Sequence, residues 1–439
     1  MKFIRKISFQ ISMLFIITTE LIKYIWKKDY LDFIRTITYK LSKKNILYVK
    51  LFQAIAMNKN WIDDEVNNEL LRFTDTVPYN EEDIDNNLIK NIMNDYNLKY
   101  ENNFHSFRPI KAGMISLVFK FYKKIDDSPI IIKMKRKNID DKLDVAIENL
   151  QFFVYILSFI PFFQTLSITT IFNKNVVTLK QQLCFKKEVK NMLDATRNCK
   201  NLKYIVIPHV YSEVTDKYSN VIMMDFIAGK TIMEIEEEDY SEYSALLLKY
   251  GMVSLLLHGV THGDLHAGNI LFIKDNTIDS SEYKHKLALL DFGLVMKLEN
   301  YEREKSLSLA VDLYEIPVRK LGQELLMMAL EPAFVLTNLP NNHFEKMLDI
   351  VEKILTTALY SKNEANQTKI YQGIMEINTY LRNGNLQSFN LNVSDLFIKV
   401  QLTLAMCNGI NMALCKNDYM TVANKTLNEL FHLDLLNYD

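Results

Sequence analysis

The spacing of hydrophobic residues changes several times along the chain, and each change predicts a different kind of element. From residue 29 to about residue 100, apolar residues recur at intervals of three and four, as in LDFIRTITYKLSKKNILYVKLFQAIAM, which is typical of helices. Between 104 and 136 the pattern shifts to β-branched and aromatic runs. There, SLVFKFYKK and PIIIKMKRK predict two strands joined by the turn-forming IDDS. Helical spacing returns over 138–200.

The second half of the chain begins with shorter elements and ends in helices. Within 204–228, YIVIPHVYSEV and NVIMMDFIAG predict a hairpin with a polar turn. Helical spacing from 241 ends at Gly259, a polar turn follows, and ILFI and KLALLDFG then predict two short strands. From 301 onward the pattern is helical almost throughout. We therefore predict an α+β protein with a small β-rich lobe, a large helical lobe and a ligand-binding cleft between them.

The first 28 residues have a pattern of their own. The uncharged run ISFQISMLFIITT, residues 7–19, is shorter than the ~20 residues that a spanning helix needs. A basic helix with one apolar face suits the membrane interface, while an ordinary docked helix or a transmembrane helix are alternatives. A signal peptide is disfavoured because no small-x-small cleavage site follows. The apolar stripe comprises Ile4, Ile7, Ile11, Leu14, Phe15, Thr18, Leu21, Ile22 and Ile25.

Positive and negative charges balance over the whole chain, but they are distributed unevenly between its segments. Residues 1–50 hold 11 lysines and arginines against three acids, whereas residues 61–101 hold 11 acids against three lysines and arginines. The net charge of −1 gives no reason to expect a nucleic-acid partner. The four cysteines show no CxxC pairing, which favours reduced, mostly buried thiols in an intracellular protein.

Glycine is rare except around one polar turn. Five of the 11 glycines lie between residues 251 and 293, in a region that contains the turn VTHGDLHAGNILF. Glycine serves where the backbone needs positive φ or must approach another group closely. A concentration of this kind predicts tight turns that carry function.

Three oxygen-bearing side chains give this region its candidate chemistry. Asp264 follows a helix, Asn269 comes five residues later, and Asp291 follows the hydrophobic strand LALL. Mg²⁺ takes few protein carboxylates and completes its shell with water and phosphate oxygens. Asn269 and Asp291 are therefore candidate metal ligands, and Asp264 would orient a hydroxyl or accept its proton in phosphoryl transfer.

The same turn admits a zinc site as an alternative. His262, Asp264 and His266 alternate along the chain, and three such ligands could bind Zn²⁺. Histidines that brace the turn through hydrogen bonds are the favoured interpretation.

A lysine and a glutamate earlier in the chain complete the candidate site. PIIIKMKRK supplies Lys133 at the end of an apolar run, and LCFKKEVKNML supplies Glu188 on a predicted helix. The order lysine, glutamate, hydrophobic hinge, HxDxxxxN and DFG is typical of kinase-like folds. Lys133, tethered by Glu188, would then hold the α- and β-phosphates of Mg-ATP.

These motifs resemble the UbiB/AarF (ADCK-type) family of atypical kinase-like proteins associated with ubiquinone biosynthesis. The resemblance covers residues 45–300 approximately, with a weaker helical tail. YVKLFQAIAM resembles the family's KxGQ element, so that Lys50 and Gln53 match its lysine and glutamine. QLCFKKEVKN resembles the Glu-x-x-Asn helix and supplies Glu188 and Asn191. IIIKMKR resembles the lysine strand, IMMDFIAG the hinge, and HGDLHAGN and LLDFG the catalytic and metal elements.

The resemblance implies ATP or ADP with Mg²⁺ as cofactors. By this resemblance, SFRPIKAGMISLVFKF occupies the place of the family's Ala-rich nucleotide loop. The implied nucleotide-binding residues are Lys133, Lys111, Ala112, Gly113, Asp225, Phe226, Lys50 and Gln53, and the implied catalytic residues are Asp264, Lys133 and Glu188.

Several positions depart from the family pattern. Phe52 replaces the KxGQ glycine, and the loop reads Lys111-Ala112-Gly113-Met114, with its usual small residues partly lost. The usual His-Pro-Gly-Asn appears as HAGN, which also resembles the HGDxHxxN loop of aminoglycoside and choline kinases. A soluble small-molecule phosphotransferase is therefore one alternative function, and a non-catalytic nucleotide-binding scaffold is another.

We predict a protein-kinase-like two-lobed fold with an N-terminal helical extension. The resemblance implies a membrane-associated ATPase or atypical kinase linked to ubiquinone or isoprenoid lipid metabolism. The implied partners are a nucleotide, a membrane surface or lipid, and a protein complex. A mitochondrial location is implied by the resemblance alone. The predicted segments are a basic amphipathic or membrane-associating helix over 1–28, a helical extension over 29–103, an N-lobe with an inserted helix over 104–228, and a helical C-lobe over 229–439.

Overall fold

The computed structural model divides into two compact units that do not follow the chain in simple order. The first unit comprises Met1–Arg197, Ile207–Ala228 and Leu290–Leu294, and the second comprises Asn198–Val206, Gly229–Leu289 and Val295–Asp439. The residues that the structure describes are 2–45, 47–48, 65, 77–100, 107–157, 176, 179–275, 283–312, 315–360 and 391–415.

Helices and strands are numbered in chain order over these described residues. The helices are α1 (Lys2–Lys27), α2 (Tyr30–Lys44), α3 (Asn86–Asp95), α4 (Ile139–Leu157), α5 (Phe185–Asn198), α6 (Ser212–Lys217), α7 (Tyr240–Met252), α8 (Asn300–Asp312), α9 (Val318–Ala329), α10 (Ala333–Thr337), α11 (Asn341–Tyr360) and α12 (Asp395–Leu414). The strands are β1 (Leu98–Lys99), β2 (Lys111–Ala112), β3 (Ser116–Lys123), β4 (Pro129–Lys135), β5 (Ile205–Val206), β6 (Val221–Asp225), β7 (Val260–His262), β8 (Ile270–Lys274), β9 (His285–Leu289), β10 (Val295–Lys297), β11 (Leu330–Glu331) and β12 (Asn392–Val393).

The first unit is built on a five-stranded antiparallel sheet in the order β1-β3-β4-β6, with β2 also paired to β3. The predicted strands at SLVFKFYKK and PIIIKMKRK are confirmed as β3 and β4. Alternate residues of these strands point to one face of the sheet, because the side-chain period of a strand is two. The buried core on that face includes Leu117, Phe119, Phe121, Ile130, Ile132 and Met134. Lys133, at an intervening position, therefore belongs to the opposite face.

The first two helices of the chain pack within the first unit. α1 contacts α2 and α4, and the Gln10 Nε2 donates to the backbone oxygen of Asn149 on α4 at 3.2 Å. Glu20 of α1 is buried and accepts hydrogen bonds from Lys40 of α2 at 2.7 Å and from Lys23 at 3.0 Å. The part of α1 from residue 7 to residue 27 is long and apolar enough to cross a membrane, judged by length and composition alone.

The second unit contains a three-stranded sheet in the order β5-β9-β8 and a two-stranded pairing of β7 with β10. The strands predicted at ILFI and KLALLDFG are confirmed as β8 and β9. α7 packs against α12, and α9 packs against α11. The described residues beyond 301 are mostly helical, as predicted, apart from the short pair β11 and β12.

The hairpin predicted within 204–228 forms only in part. An antiparallel bridge joins Val210 to Met224, and the N–H of Tyr211 donates to the Met223 oxygen at 2.9 Å. The strands β5 and β6 themselves do not pair with each other. β5 pairs in parallel with β9 in the second unit, whereas β6 pairs antiparallel with β4 in the first. The residues between them form α6 rather than a turn. Both runs are apolar because each is buried in a sheet, but an apolar run does not specify the strand with which it pairs. β1 was also missed, since a two-residue strand has no detectable period.

Candidate functional site

A buried lysine on the central sheet of the first unit contacts two carboxylates. Lys133 lies on β4, opposite Val118 of β3 and Ile222 of β6. Its Nζ donates to the Oε1 of Glu188 at 2.6 Å and to the Oδ2 of Asp291 at 2.7 Å. Lys133 is only 8% exposed and Glu188 only 2%. The structure thus brings together three predicted site residues. Glu188 follows Lys133 by 55 positions in the sequence, and Asp291 follows it by 158.

Glu188 is held in position by the amphipathic helix α5. The buried residues Phe185, Glu188, Val189 and Met192 recur at helical spacing, so one face of α5 packs inward. Asn191, three residues after Glu188, lies on the same face and donates from its Nδ2 to the backbone oxygen of Phe292 at 2.9 Å. The backbone N–H of Phe292 is in turn hydrogen-bonded to Glu188. α5 therefore fixes both Lys133 and the Asp-Phe-Gly segment.

Asp291 is oriented by the turn that it begins. Its Oδ1 accepts the backbone N–H of Gly293 at 2.9 Å, while its Oδ2 accepts from Lys133. A carboxylate that accepts from the N–H two residues on is a common turn arrangement for aspartate. Glu188 and Lys133 are buried, whereas the Asp291 side chain is 37% exposed. Asp291 is therefore the member of the trio that a solute can reach.

Two carboxylates share one ammonium group, so the site carries excess negative charge. Burial acts to lower the pKa of Lys133, but Asp291 and Glu188 more than offset this and hold that pKa above its ordinary value. Burial raises the pKa of Glu188 to about 7, although Lys133 opposes the shift. Lys133 is consequently charged at neutral pH, and an additional cation beside Asp291 would be favoured electrostatically.

Gly293 is required by the close packing of this site. A Cβ at Gly293 would lie 3.1 Å from the Oδ1 of Asp291 and 3.6 Å from the Oε2 of Glu188. We expect Gly293→Ala to displace the Asp291 carboxylate and to reduce stability by about 1–3 kcal/mol, as overpacking does. Thermal unfolding of the variant and the wild type would measure the loss of stability.

Gly409 provides the control for this substitution. It lies within α12, and a Cβ there would meet no atom within 4 Å. Gly409→Ala should not destabilise the protein, and should raise helix stability by up to about 1 kcal/mol. Equal behaviour of the two variants would contradict the proposed packing role of Gly293.

The predicted catalytic turn lies in the second unit, between β7 and β8. The backbone N–H of Asp264 donates to the Nδ1 of His262 at 3.1 Å, and the N–H of Gly268 donates to the Nδ1 of His266 at 3.1 Å. The Nδ2 of Asn269 donates to the backbone oxygen of Asp264 at 3.0 Å. The prediction that the histidines brace the turn is confirmed by these bonds. The zinc alternative gains no support, since no group of three histidines, cysteines or acids in the described part of the chain could hold a metal ion.

The donor atoms available at the two predicted metal residues fit Mg²⁺. Asp291 offers a partly exposed carboxylate. The amide nitrogen of Asn269, in the second unit, donates to the Asp264 carbonyl, so the amide oxygen is the atom of this side chain that would bind a cation. Mg²⁺ binds through one or two such oxygens together with substrate phosphates, and it does not require a cluster of acids.

The other predicted nucleotide-binding residues that the structure describes lie on or next to the sheet of the first unit. Lys111 and Ala112 form β2, and the N–H of Gly113 donates to the backbone oxygen of Ser116 at 2.8 Å. Asp225 ends β6, and Phe226 follows it, with its ring centroid 4.4 Å from the Nζ of Lys120. The predicted residues Lys50 and Gln53, and Phe52 between them, lie outside the described residues.

Two residues that support the predicted hinge were missed in the sequence. The hydroxyl of Tyr211 donates to the Oδ1 of Asp225 at 2.8 Å, and the Nζ of Lys123 donates to the Tyr211 oxygen at 2.8 Å. The two side chains come from elements 88 residues apart, so no local spacing could have indicated their contact.

Comparison with known proteins gives a consistent set of relatives. The profile of the ABC1 atypical kinase-like domain matches residues 72–324, which is more than half of the chain. Activity of BC1 complex kinase 7, chloroplastic, from Arabidopsis thaliana is 21% identical over 231 residues, which are 51% of this chain and 32% of that protein. A probable protein kinase UbiB from Shewanella sp. (strain MR-4) is 24% identical over 239 residues, which are 52% of this chain and 42% of that protein. The chain thus matches less than half the length of either relative.

A solved structure also aligns with most of the chain. It is the complex of Rv3197 with erythromycin from Mycobacterium tuberculosis, which is 15% identical and has a TM-score of 0.47. The alignment covers 85% of this chain and 90% of that one.

Proposed function

Because the chain belongs to the ABC1 atypical kinase-like family, we propose that it binds ATP with Mg²⁺ and acts as an ATPase or phosphotransferase. The predicted resemblance to the UbiB/AarF family is confirmed. The fold class is also the predicted one: protein-kinase-like, with a β-sheet N-terminal part, many helices and an N-terminal helical segment.

The observation that carries this proposal is the position of the Lys133 ammonium between Glu188 and Asp291. An ammonium group has three N–H donors, and two of them go to these carboxylates at 2.6 and 2.7 Å. In this proposal the third N–H donates to a phosphate oxygen. In this proposal Glu188 holds Lys133 in place, and Lys133 binds the α- and β-phosphates of the nucleotide.

The other predicted residues have complementary roles in the proposal. Asn269 and Asp291 would hold Mg²⁺, which when bound supplies positive charge to neutralise the phosphate oxygens. Asp264 would orient a water molecule or an acceptor hydroxyl and accept its proton. The hydrogen bonds of Asp264 with His262 and Asn269 support this role, because they fix the backbone from which the carboxylate projects.

We assign nucleotide binding and transfer to the segments 104–228 and 229–439, and membrane contact to residues 1–28. Several apolar side chains of α1 are exposed, including Ile11, Leu14, Phe15, Ile22, Ile25 and Trp26. Met13 and Glu20 are buried against the protein instead. Lys23 and Lys27, with side chains 52% and 67% exposed, lie near one end of the stripe, where Glu20 and Asp32 pair with them. This combination supports binding to the interface of an anionic bilayer.

Membrane binding can be tested by co-sedimentation with vesicles of neutral and anionic lipid. The wild type should sediment with anionic vesicles, and Phe15→Asp combined with Ile22→Asp should leave most of the protein in the supernatant. Ile125→Asp is the control, because Ile125 is an 87% exposed isoleucine of the first unit outside α1. Wild-type protein that stays in the supernatant would favour the soluble phosphotransferase instead.

The catalytic proposal is tested by measuring ATP turnover in Mg²⁺ with the purified chain. Assays with and without anionic vesicles, and with and without phenolic quinone precursors, would distinguish hydrolysis from transfer to a lipid-soluble acceptor. We expect Mg²⁺-dependent turnover that anionic vesicles increase. Nucleotide binding without any turnover under these conditions would favour the non-catalytic scaffold.

A further inference from the structure

A buried arginine beside the nucleotide loop binds several backbone carbonyls at once. Arg136 follows β4 directly and is 4% exposed. Its Nε and Nη2 donate to the backbone oxygen of Gly113 at 3.0 and 2.6 Å. Its Nη1 donates to the oxygen of Pro78 at 2.9 Å and to the Oδ2 of Asp83 at 3.1 Å. Its Nη2 also reaches the oxygen of Val77 at 3.3 Å.

These bonds join three separate pieces of the first unit. The guanidinium group links the loop at Gly113 to the segment 77–83, which precedes the kinase-like strands. Backbone bonds reinforce the junction, because the N–H of Val77 donates to the oxygen of Ala112 at 2.8 Å. The N–H of Arg136 itself donates to the oxygen of Ile115 at 2.9 Å. The conformation of the nucleotide loop therefore depends on Arg136 as well as on its own sequence.

Asp83 is the carboxylate that pairs with the Arg136 guanidinium group. Burial acts to raise its pKa, but hydrogen bonds from Lys142 and from the Asn80 N–H, together with the charge of Arg136, hold the pKa of Asp83 below its ordinary value. Asp83 is therefore charged at neutral pH and balances the arginine. The pair is buried on both sides, with side chains 4% and 8% exposed.

Anchoring the Gly113 carbonyl also fixes a backbone donor. A trans peptide is planar, so the N–H of Met114 points opposite to the oxygen of Gly113. Two arginine N–H groups hold that oxygen on one side of the peptide. Backbone N–H groups of loops are the donors that commonly cradle phosphate oxygens. Arg136 thus determines the direction of an N–H in the predicted nucleotide loop.

We propose that Arg136 is a positioning residue for nucleotide binding, which acts by fixing the Gly113–Met114 peptide. The proposal rests on the proposed function, since it assumes that this loop contacts the nucleotide. Lysine cannot substitute, because its single ammonium does not reproduce the planar fork that serves Gly113, Pro78 and Asp83 together. A purely structural role would instead lower stability and leave nucleotide affinity unchanged.

The decisive experiment compares MgADP affinity in variants of the full chain by calorimetry. We expect Arg136→Lys and Arg136→Gln to bind MgADP about tenfold or more weakly, as small misplacements of binding groups do. Ile89→Ala is the control for destabilisation, because Ile89 is fully buried in the core of the same unit and makes no hydrogen bond through its side chain. Lys142→Ala is the control for lost charge, since it removes a partner of Asp83 and keeps the guanidinium. Both controls should bind within about twofold of the wild type.

Hydrogen exchange provides a second measurement that does not depend on the nucleotide. In Arg136→Lys, the amides of residues 111–116 and 77–83 should exchange faster than in the wild type, while those of α3 should not change. Arg136 variants that bind MgADP as the wild type does, or whose loop amides stay protected, would overturn the positioning role alone. Wild-type protein that does not bind MgADP would contradict the proposed function itself.

Discussion

Replacing Asp264 by asparagine is expected to abolish ATP turnover and to leave nucleotide binding intact. Asparagine has nearly the same shape, so the backbone bonds of position 264 with His262 and Asn269 should persist. It cannot accept a proton, however, and the loss of a positioned base typically reduces rates by about 10²–10⁴-fold. ATP turnover and MgADP affinity, measured on the same preparation, check the two halves of this expectation.

An exposed acid of the same unit serves as the control for Asp264→Asn. Asp349 lies on α11, and its side chain is 64% exposed beside Arg319. Asp349→Asn should keep turnover at the wild-type level. Asp349 lies far from Asp264 in the sequence, and its ion pair with Arg319 involves none of the predicted site residues. Turnover in Asp264→Asn that is close to the wild-type rate would exclude Asp264 as the base.

Replacing Lys133 by methionine is expected to affect both turnover and stability. Loss of the phosphate-binding ammonium should reduce turnover by about 10²–10³-fold, as the loss of one preorganised electrostatic group does in other enzymes. The change also leaves Glu188 and Asp291 without their shared cation. Removing one partner of a buried pair costs about 3–5 kcal/mol, and the lower end is expected because Asp291 is 37% exposed.

The stability of Lys133→Met should depend on pH in a defined direction. The pKa of Glu188 is already raised by burial to about 7, and loss of Lys133 would raise it further. A carboxyl group whose pKa is raised on folding favours the folded state at low pH, and this contribution is lost as pH rises through the folded pKa. The variant should therefore be more stable, relative to the wild type, at pH 6 than at pH 8. Denaturant unfolding at both pH values measures this difference.

Lys135 offers a matched control on the same strand. Its Nζ lies 5.8 Å from the centroid of the Phe185 ring, and that of Lys133 lies 5.7 Å from it. Lys135 pairs with Asp140 rather than with the site carboxylates. Lys135→Met should retain turnover and should show no added pH dependence of stability. Similar losses in the two variants would indicate a general effect of lysine on β4 rather than a specific phosphate contact.

The contact between Lys133 and its two carboxylates could be predicted because each residue carries a local signal. Lys133 follows three isoleucines within a strand, Glu188 lies on an amphipathic helix, and Asp291 follows a buried strand and precedes Phe292-Gly293. In that order the three signals are typical of one fold, which supplies the long-range pairing that no single stretch contains. The assigned roles of these residues remain predictions.

Other features could not be predicted because their partners are distant in sequence and have no periodic pattern. Arg136 binds carbonyl groups 23 and 58 residues away. Every residue has a backbone carbonyl, so the sequence does not show which ones an arginine will bind. The partners of β5 and β6 were missed for a related reason, since these are apolar strands that join different sheets. The hydrophobic pattern of a segment indicates that the segment is buried, whereas the strand with which it pairs depends on the whole fold.

A magnesium–nucleotide site at Asp291 is tested most directly by calorimetric titration of MgADP into the wild type and into Asp291→Asn, each with and without EDTA. Asp291 is the exposed member of the Lys133 trio and the predicted metal ligand, so we expect saturable binding to the wild type that EDTA weakens strongly. We expect Asp291→Asn to lose most of this Mg²⁺-dependent affinity. Wild-type affinity in Asp291→Asn, or binding that EDTA does not change, would contradict a magnesium–nucleotide site at Lys133, Glu188 and Asp291.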